Sequence, residues 1–173
     1  MFRILQPGVQ TVNRLRAPLA TDSATVAARS LLVQGDWLAP DANGRFAVLG
    51  TTPVRAAFPI TTEPQQTDTL MTTANTGTLG ERTQSGLTLA NGRYVAESNR
   101  FDTVNMTSSA VVNQKLLVAK KINVGTTQAP VYVYGLALAD VANATLALNE
   151  EQFAVGVGIC LVENNTVLRF LAL

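Results

Sequence analysis

Residues 153–173 read FAVGVGICLVENNTVLRFLAL, and their pattern decides the fold class. Two runs rich in Val, Ile, Leu and Phe, 153–162 and 166–173, flank Asn164-Asn165. β-branched and aromatic residues over such lengths predict strands. Asparagine tolerates the positive φ that a two-residue hairpin loop needs. With Glu163 opposite Thr166, Leu161 falls beside Leu168 and Ile159 beside Phe170 on one face, and Cys160 beside Arg169 on the other. One apolar face and one mixed face are what a barrel or sandwich strand pair requires. GVGI at 156–159 lacks the third glycine and the following helix of a dinucleotide site. Its glycines predict a bulge or close packing within a strand.

Outward from this hairpin the same grammar continues. VYVYGLALA, 131–139, reads as a further strand, with Tyr132 and Tyr134 on one face and Val131 and Val133 opposite. The tetrapeptide ANGR occurs at 42–45 and again at 90–93. Asn-Gly between apolar runs is a strong hairpin signal. The first copy joins the strand around Trp37–Leu38 to Phe46–Leu49, and the second joins Leu87–Leu89 to Tyr94–Ala96. Nothing aligns beyond the tetrapeptide, so both copies are turns and not a repeat. PVRAAFPI, 53–60, reads as an edge strand because its prolines lie at the ends. Residues 61–86 are rich in Thr and Gln without a period, which predicts an ordered excursion lying across another surface.

The first 30 residues carry Arg3, Arg14, Arg16 and Arg29 against Asp22 alone, with Pro7, Gly8 and Pro18 breaking any long helix. They predict an extended arm, with a turn or two of helix after an Asp22 or Ser23 cap. The expected organisation is an N-terminal arm, 1–30, and a β domain, 31–173, with the 61–86 loop. The fold class is mainly β, a small barrel or sandwich with an extended N-terminal arm and a long Thr-rich loop.

Composition narrows the function. The 173 residues are 47% hydrophobic but only 14% charged, against about 25% in a typical soluble domain. The mean hydropathy is +0.18, yet no run approaches the roughly 20 apolar residues of a membrane span. The surplus apolar surface is expected to meet other protein chains. A net charge of +1 supplies no field for nucleic acid or anionic membrane. The N-terminus shows no signal-peptide pattern, and one cysteine makes no intramolecular disulfide. The chain has no histidine, which removes the usual general base and the commonest transition-metal ligand. Cys160, mid-strand, reads as a buried structural thiol. Asp36, Asp41, Glu97 and Asp102 are scattered beside turns, and Glu150-Glu151 point apart if in a strand. DANG at 41–44 lacks the later ligands of a Ca²⁺ loop. No catalytic, cofactor or metal site is expected, and Trp37 reads as a core anchor.

Four stretches carry a resemblance: QGDWLAPDANGRFAVLG (34–50), TLANGRYVAESNRFD (88–102), NQKLLVAKKINVG (113–125) and VGVGICLVENNTVLRFLAL (155–173). Together they resemble virion structural proteins of tailed bacteriophages, decoration or head-cement proteins above all. The resemblance spans about Ser30 to Leu173. The Arg-bearing arm and the Thr-rich insert lie outside its pattern. It implies a protein without an active site or cofactor that assembles as a dimer or trimer. Such a protein lies on the capsid surface and stabilises the expanded shell through contacts with the major capsid protein. On that basis the contact residues are Arg3, Arg14 and Arg16 in the arm, and Thr69, Leu70 and Met71 in the excursion. The alternatives are a tail or baseplate component, and a receptor- or carbohydrate-binding module.

Overall fold

A computed structural model describes residues 1–5, 13–16, 19–28, 31–61, 88–141 and 149–173. Among these the chain is mainly β, and its strands form three sheets. The largest has six strands: β1 (Phe2–Ile4), β7 (Val95–Ser98), β11 (Val167–Ala172), β10 (Gly156–Val162), β8 (Leu116–Asn123) and β9 (Tyr132–Leu138), in that spatial order. Every pairing in it is antiparallel, and the sheet curls into a half-barrel. A three-stranded sheet holds β3 (Trp37–Pro40) between β4 (Phe46–Val48) and β5 (Phe58–Pro59). β2 (Asn13–Arg16) and β6 (Thr88–Asn91) form a third, two-stranded sheet. The expected barrel or sandwich class is therefore what the chain adopts.

The concave face of the large sheet encloses the main core, where Trp37, Tyr94, Phe101, Leu117, Leu136 and Phe170 are at most 2% exposed. Trp37 lies 6.0 Å from Phe170 and is the anchor its sequence position promised. A second cluster, including Leu38, Phe46, Ile60 and Leu89, fills the space around the three-stranded sheet. The helix α1 (Ser23–Ala28) starts at Asp22, whose Oδ1 accepts the N–H of Thr25 at 2.9 Å. This is the cap that the sequence indicated.

The C-terminal hairpin closes nearly as read. Leu161 pairs with Leu168 and Cys160 with Arg169, and Asn164 and Asn165 take φ of 58° and 66°. The register then slips between Gly158 and Cys160, so Phe170 faces Gly158 and not Ile159. Ile159 is the bulged residue and is 37% exposed. Gly158 permits this because a Cβ there would lie closer than 3.0 Å to the Val112 carbonyl oxygen. Its own N–H and C=O bond to Lys115 O and Gln114 N. The GVGI glycines thus serve both purposes read from them, a bulge and close packing.

Three expectations change. Asn91-Gly92 is a turn, with Gly92 at φ 118°, but β6 and β7 on either side belong to different sheets. The second ANGR is a corner between sheets, whereas the first closes a hairpin of β3 on β4. In that first loop Asp41 Oδ1 accepts the N–H groups of Asn43 and Arg45 at 2.8 Å. Next, Glu150-Glu151 do not lie in a strand. They open a 3₁₀ turn, Glu150–Phe153, which packs on the convex side of β8. Finally, Cys160 is half-buried and not sealed in the core.

The first residues of the expected arm, Phe2–Ile4, are extended but not free. β1 is an edge strand of the chain's own sheet, with Phe2↔Ser98, Arg3↔Glu97 and Ile4↔Ala96 in register. The reason is apolar: Phe2 is 5% exposed and stands edge-on to Tyr94 at 6.1 Å. The residues expected as an arm thus include part of the domain's core.

Candidate contact face

Strand alternation turns Ala96 and Ser98 of β7 toward the core and Glu97 to the convex side. The same alternation on the flanking strands sets Arg3 of β1 and Arg169 of β11 beside it, because Glu97 is in register with both. Arg3 Nε donates to Glu97 Oε2 at 3.1 Å, and Arg3 Nη2 donates to the same oxygen. Arg169 donates to Oε1 through Nε at 3.1 Å and Nη2 at 2.7 Å. The carboxylate is only 1% exposed, while the side chains of Arg3 and Arg169 are 58% and 39% exposed. Two arginines therefore seal one acid on the convex side of the sheet.

Electrostatics follow from this geometry. Burial alone raises the Glu97 pKa, but hydrogen bonds and charge from Arg169 and Arg3 outweigh it, so the carboxyl stays below its usual range. A carboxylate with a depressed folded pKa adds stability that is complete above its unfolded value, about 4.3. That stability is lost as the pH falls through the folded value. Glu97→Gln is expected to cost about 1–2 kcal/mol at pH 7, discounted for the exposure of both arginines. The cost should shrink as the pH is lowered below about 4.3. Urea unfolding of both forms at pH 7, 4.5 and 3 checks this; an equal deficit at all three pH values would refute it.

Beside the ionic row runs an apolar one. Leu116, Val157, Leu171 and Val95 are cross-strand neighbours on β8, β10, β11 and β7, and all four are half-buried. Cys160 extends the ionic row through its pairing with Arg169. The convex face thus carries a cationic stripe next to an aliphatic stripe, both fixed by backbone register.

The other buried acids are also committed. Asp36 Oδ1 accepts Arg100 Nε at 2.6 Å, and Oδ2 accepts the Val33 N–H at 3.0 Å. Burial raises its pKa, although the charge of Arg100 opposes this. Glu150, fully buried, accepts Lys120 Nζ at 3.0 Å and the Asp140 N–H at 3.1 Å. Asp102 caps the turn after it, accepting from Val104 N, Asn105 N and Asn105 Nδ2. Among the described residues, no three His, Cys, Asp or Glu side chains cluster as metal ligands would. A cavity lined by Trp37, Phe58 and Tyr94 opens near Arg55. The Trp37 Nε1–H has no acceptor among the described residues and is closed off from solvent, so this donor is not offered to a ligand there.

Of the residues expected to make contacts, Arg3 belongs to the ionic row. Arg14 and Arg16 fall on β2, paired with Ala90 and Thr88 in the separate two-stranded sheet. Thr69, Leu70 and Met71 lie outside the described residues. Glu97 and Arg169 were not read as a site. One signal was available: an arginine in the middle of an apolar strand, on the face opposite its core-facing neighbours. No family model matches this chain, and neither a curated protein nor a solved structure matches it.

Proposed function

We propose that this chain is a virion structural protein, a decoration protein that binds the outside of a tailed-phage head as a homo-oligomer and stabilises the shell. The observation that carries the reading is the kind of surface the fold presents. The β8–β9 hairpin ends in an exposed, uncharged tip, residues 126–132, TTQAPVY. The tip is pre-ordered by its own hydrogen bonds. Asn123 Oδ1 accepts the N–H groups of Gly125 and Val131, both at 3.0 Å, and Thr126 Oγ1 accepts that of Ala129. A rigid neutral loop loses little entropy on docking, which suits a standing contact with another protein surface. The buried carboxylates support the same reading, since each cross-links elements of the fold through a cation or backbone donors. Repetition over many shell sites then multiplies weak contacts. The resemblance over Ser30–Leu173 adds the specific setting.

The test is the copy number of the chain in purified virus particles, by quantitative mass spectrometry against the major shell subunit. A ratio near one, or a simple fraction such as one third, is expected. A handful of copies per particle would move the chain to the tail, and absence from particles would end the virion reading.

A further inference from the structure

The convex face of the large sheet binds an extended acidic segment: we propose that Arg3 and Arg169 receive a carboxylate from a strand of the shell subunit, whose aliphatic side chains lie on Val95, Leu171 and Val157. The identity of the partner rests on the decoration reading; the chemistry of the face does not. Each guanidinium spends its Nε and Nη2 on a single oxygen of Glu97. Nη1 of each has no partner among the described residues, and both side chains remain substantially exposed. A guanidinium gripped along one edge keeps a second edge for bidentate contact with another carboxylate. Two cations around one sealed anion also leave the row with a net positive charge. Arg93, exposed in the bend two residues before Val95, is a further positive charge close by in the chain.

Geometry selects an extended occupant. The ionic and aliphatic rows are two residues apart along β7 and β11, about 6.7 Å at the rise of a strand. An extended peptide lying along these strands repeats its side chains at the same interval. It sets an acid over the arginines when an aliphatic residue two positions away meets Val95 and Leu171. A second copy of this chain fits poorly, since pairing the face with itself would oppose arginine to arginine. Nucleic acid fits poorly as well: Glu97 lies in the centre of the cationic row, and the adjoining row is aliphatic without a stacking aromatic.

The test has two arms. In the first, ¹⁵N-labelled protein is titrated with acetyl-Thr-Glu-Thr-Val-Thr-Ser-amide and with its Gln twin, following amide shifts. The expected result is shifts confined to β1, β7 and β11, weaker by about fivefold for the Gln peptide. The double variant Arg3→Lys/Arg169→Lys keeps the charges but loses the planar forks. It should melt near the wild type and bind about fivefold less. If it melts low, Arg3→Lys alone, at the more exposed position, is used. No shifts on this face, an equal response to the Gln peptide, or a stronger response to a thymidine decamer would overturn the proposal. In the second arm, wild type and variant are sedimented with empty expanded shells. Shell binding that survives the double substitution sinks the face and leaves the decoration reading intact. Absent shell binding together with peptide binding does the reverse.

Discussion

Phe2→Ala is expected to lower stability by about 3 kcal/mol, the lower part of the range for a buried Phe truncation. In a domain of this size that corresponds to a melting point lower by roughly 6–12 °C. Phe2 is 5% exposed and belongs to the same core cluster as Trp37, Tyr94 and Phe170. Removing its ring leaves Tyr94 without its edge-on partner and opens a gap beside Phe170, 6.5 Å away. Among the described residues β1 has one strand neighbour, β7, so it can shift inward to narrow the gap, which keeps the cost at the low end. Circular dichroism melts of wild type and variant check it. A melting point within 2 °C of wild type would show that the first strand is a dispensable arm.

That outcome bears on how the N-terminal segment can act. If it supports the core, it cannot also leave the domain to invade a neighbour's sheet without a comparable cost per copy. The segment then contributes to binding through the side chain it presents outward, Arg3, and not by exchanging strands. Its backbone is already occupied along one edge, where Met1 O accepts Asn99 N and Leu5 N donates to Val95 O. A truncation lacking residues 1–5 is therefore a poor probe of binding, because it would lose Phe2 and Ile4 from the core together with Arg3. The Arg3→Lys substitution separates the two roles.

Much of this was legible in short-range pattern. The Asn164-Asn165 turn, the strands around it and the Asp22 cap follow from local φ/ψ preferences and alternation, and these need no knowledge of distant residues. What local pattern cannot carry is which strands become neighbours. Asn91-Gly92 looks the same as Asn43-Gly44 over four residues, yet one closes a hairpin and the other sends the chain between sheets. The difference lies in the flanks: Leu89 pairs with Leu15 and Ile60, while Ala96 pairs with Ile4 and Phe170. Those partners are tens of residues away in both directions. Glu97 illustrates the same limit. An acid beside a turn is commonplace, and only the meeting of strands 2–4, 95–98 and 167–172 supplies its two arginines. The bulge at Ile159 was foreshadowed by Gly156 and Gly158 just before it, but its register shift required the contact of Gly158 with Val112.

Arg100→Leu is expected to have the largest effect of the substitutions considered, a loss of about 3–5 kcal/mol at pH 7, the range for breaking a buried pair from one side. Its partner Asp36 is fully buried and sits immediately before β3. Arg100 follows β7, and its backbone O accepts the N–H of Leu136 on β9 at 3.1 Å. The pair thus joins the small sheet to the large one. Removing the cation leaves Asp36 with backbone donors only, from Val33 and Tyr134. The pH dependence gives the prediction its signature. Burial raises the Asp36 pKa even with Arg100 present, and without the guanidinium it must rise further. A carboxyl whose folded pKa lies above its unfolded value, about 3.9, binds more protons folded than unfolded. Its contribution therefore becomes less unfavourable as the pH falls through the folded value. The deficit of Arg100→Leu should accordingly shrink as the pH falls from 7 toward the unfolded value, the same direction as for Glu97→Gln but for the opposite reason: here an unfavourable charge is relieved, there a favourable one is lost. Adding Asp36→Asn to Arg100→Leu should recover part of the loss at pH 7, because the unpaired charge is gone while an amide oxygen still accepts the backbone N–H groups. Chemical denaturation of the two variants across this pH range decides it. A deficit independent of pH, or no recovery in the double variant, would mean that the Arg100 aliphatic stem, and not its charge, holds the two sheets together.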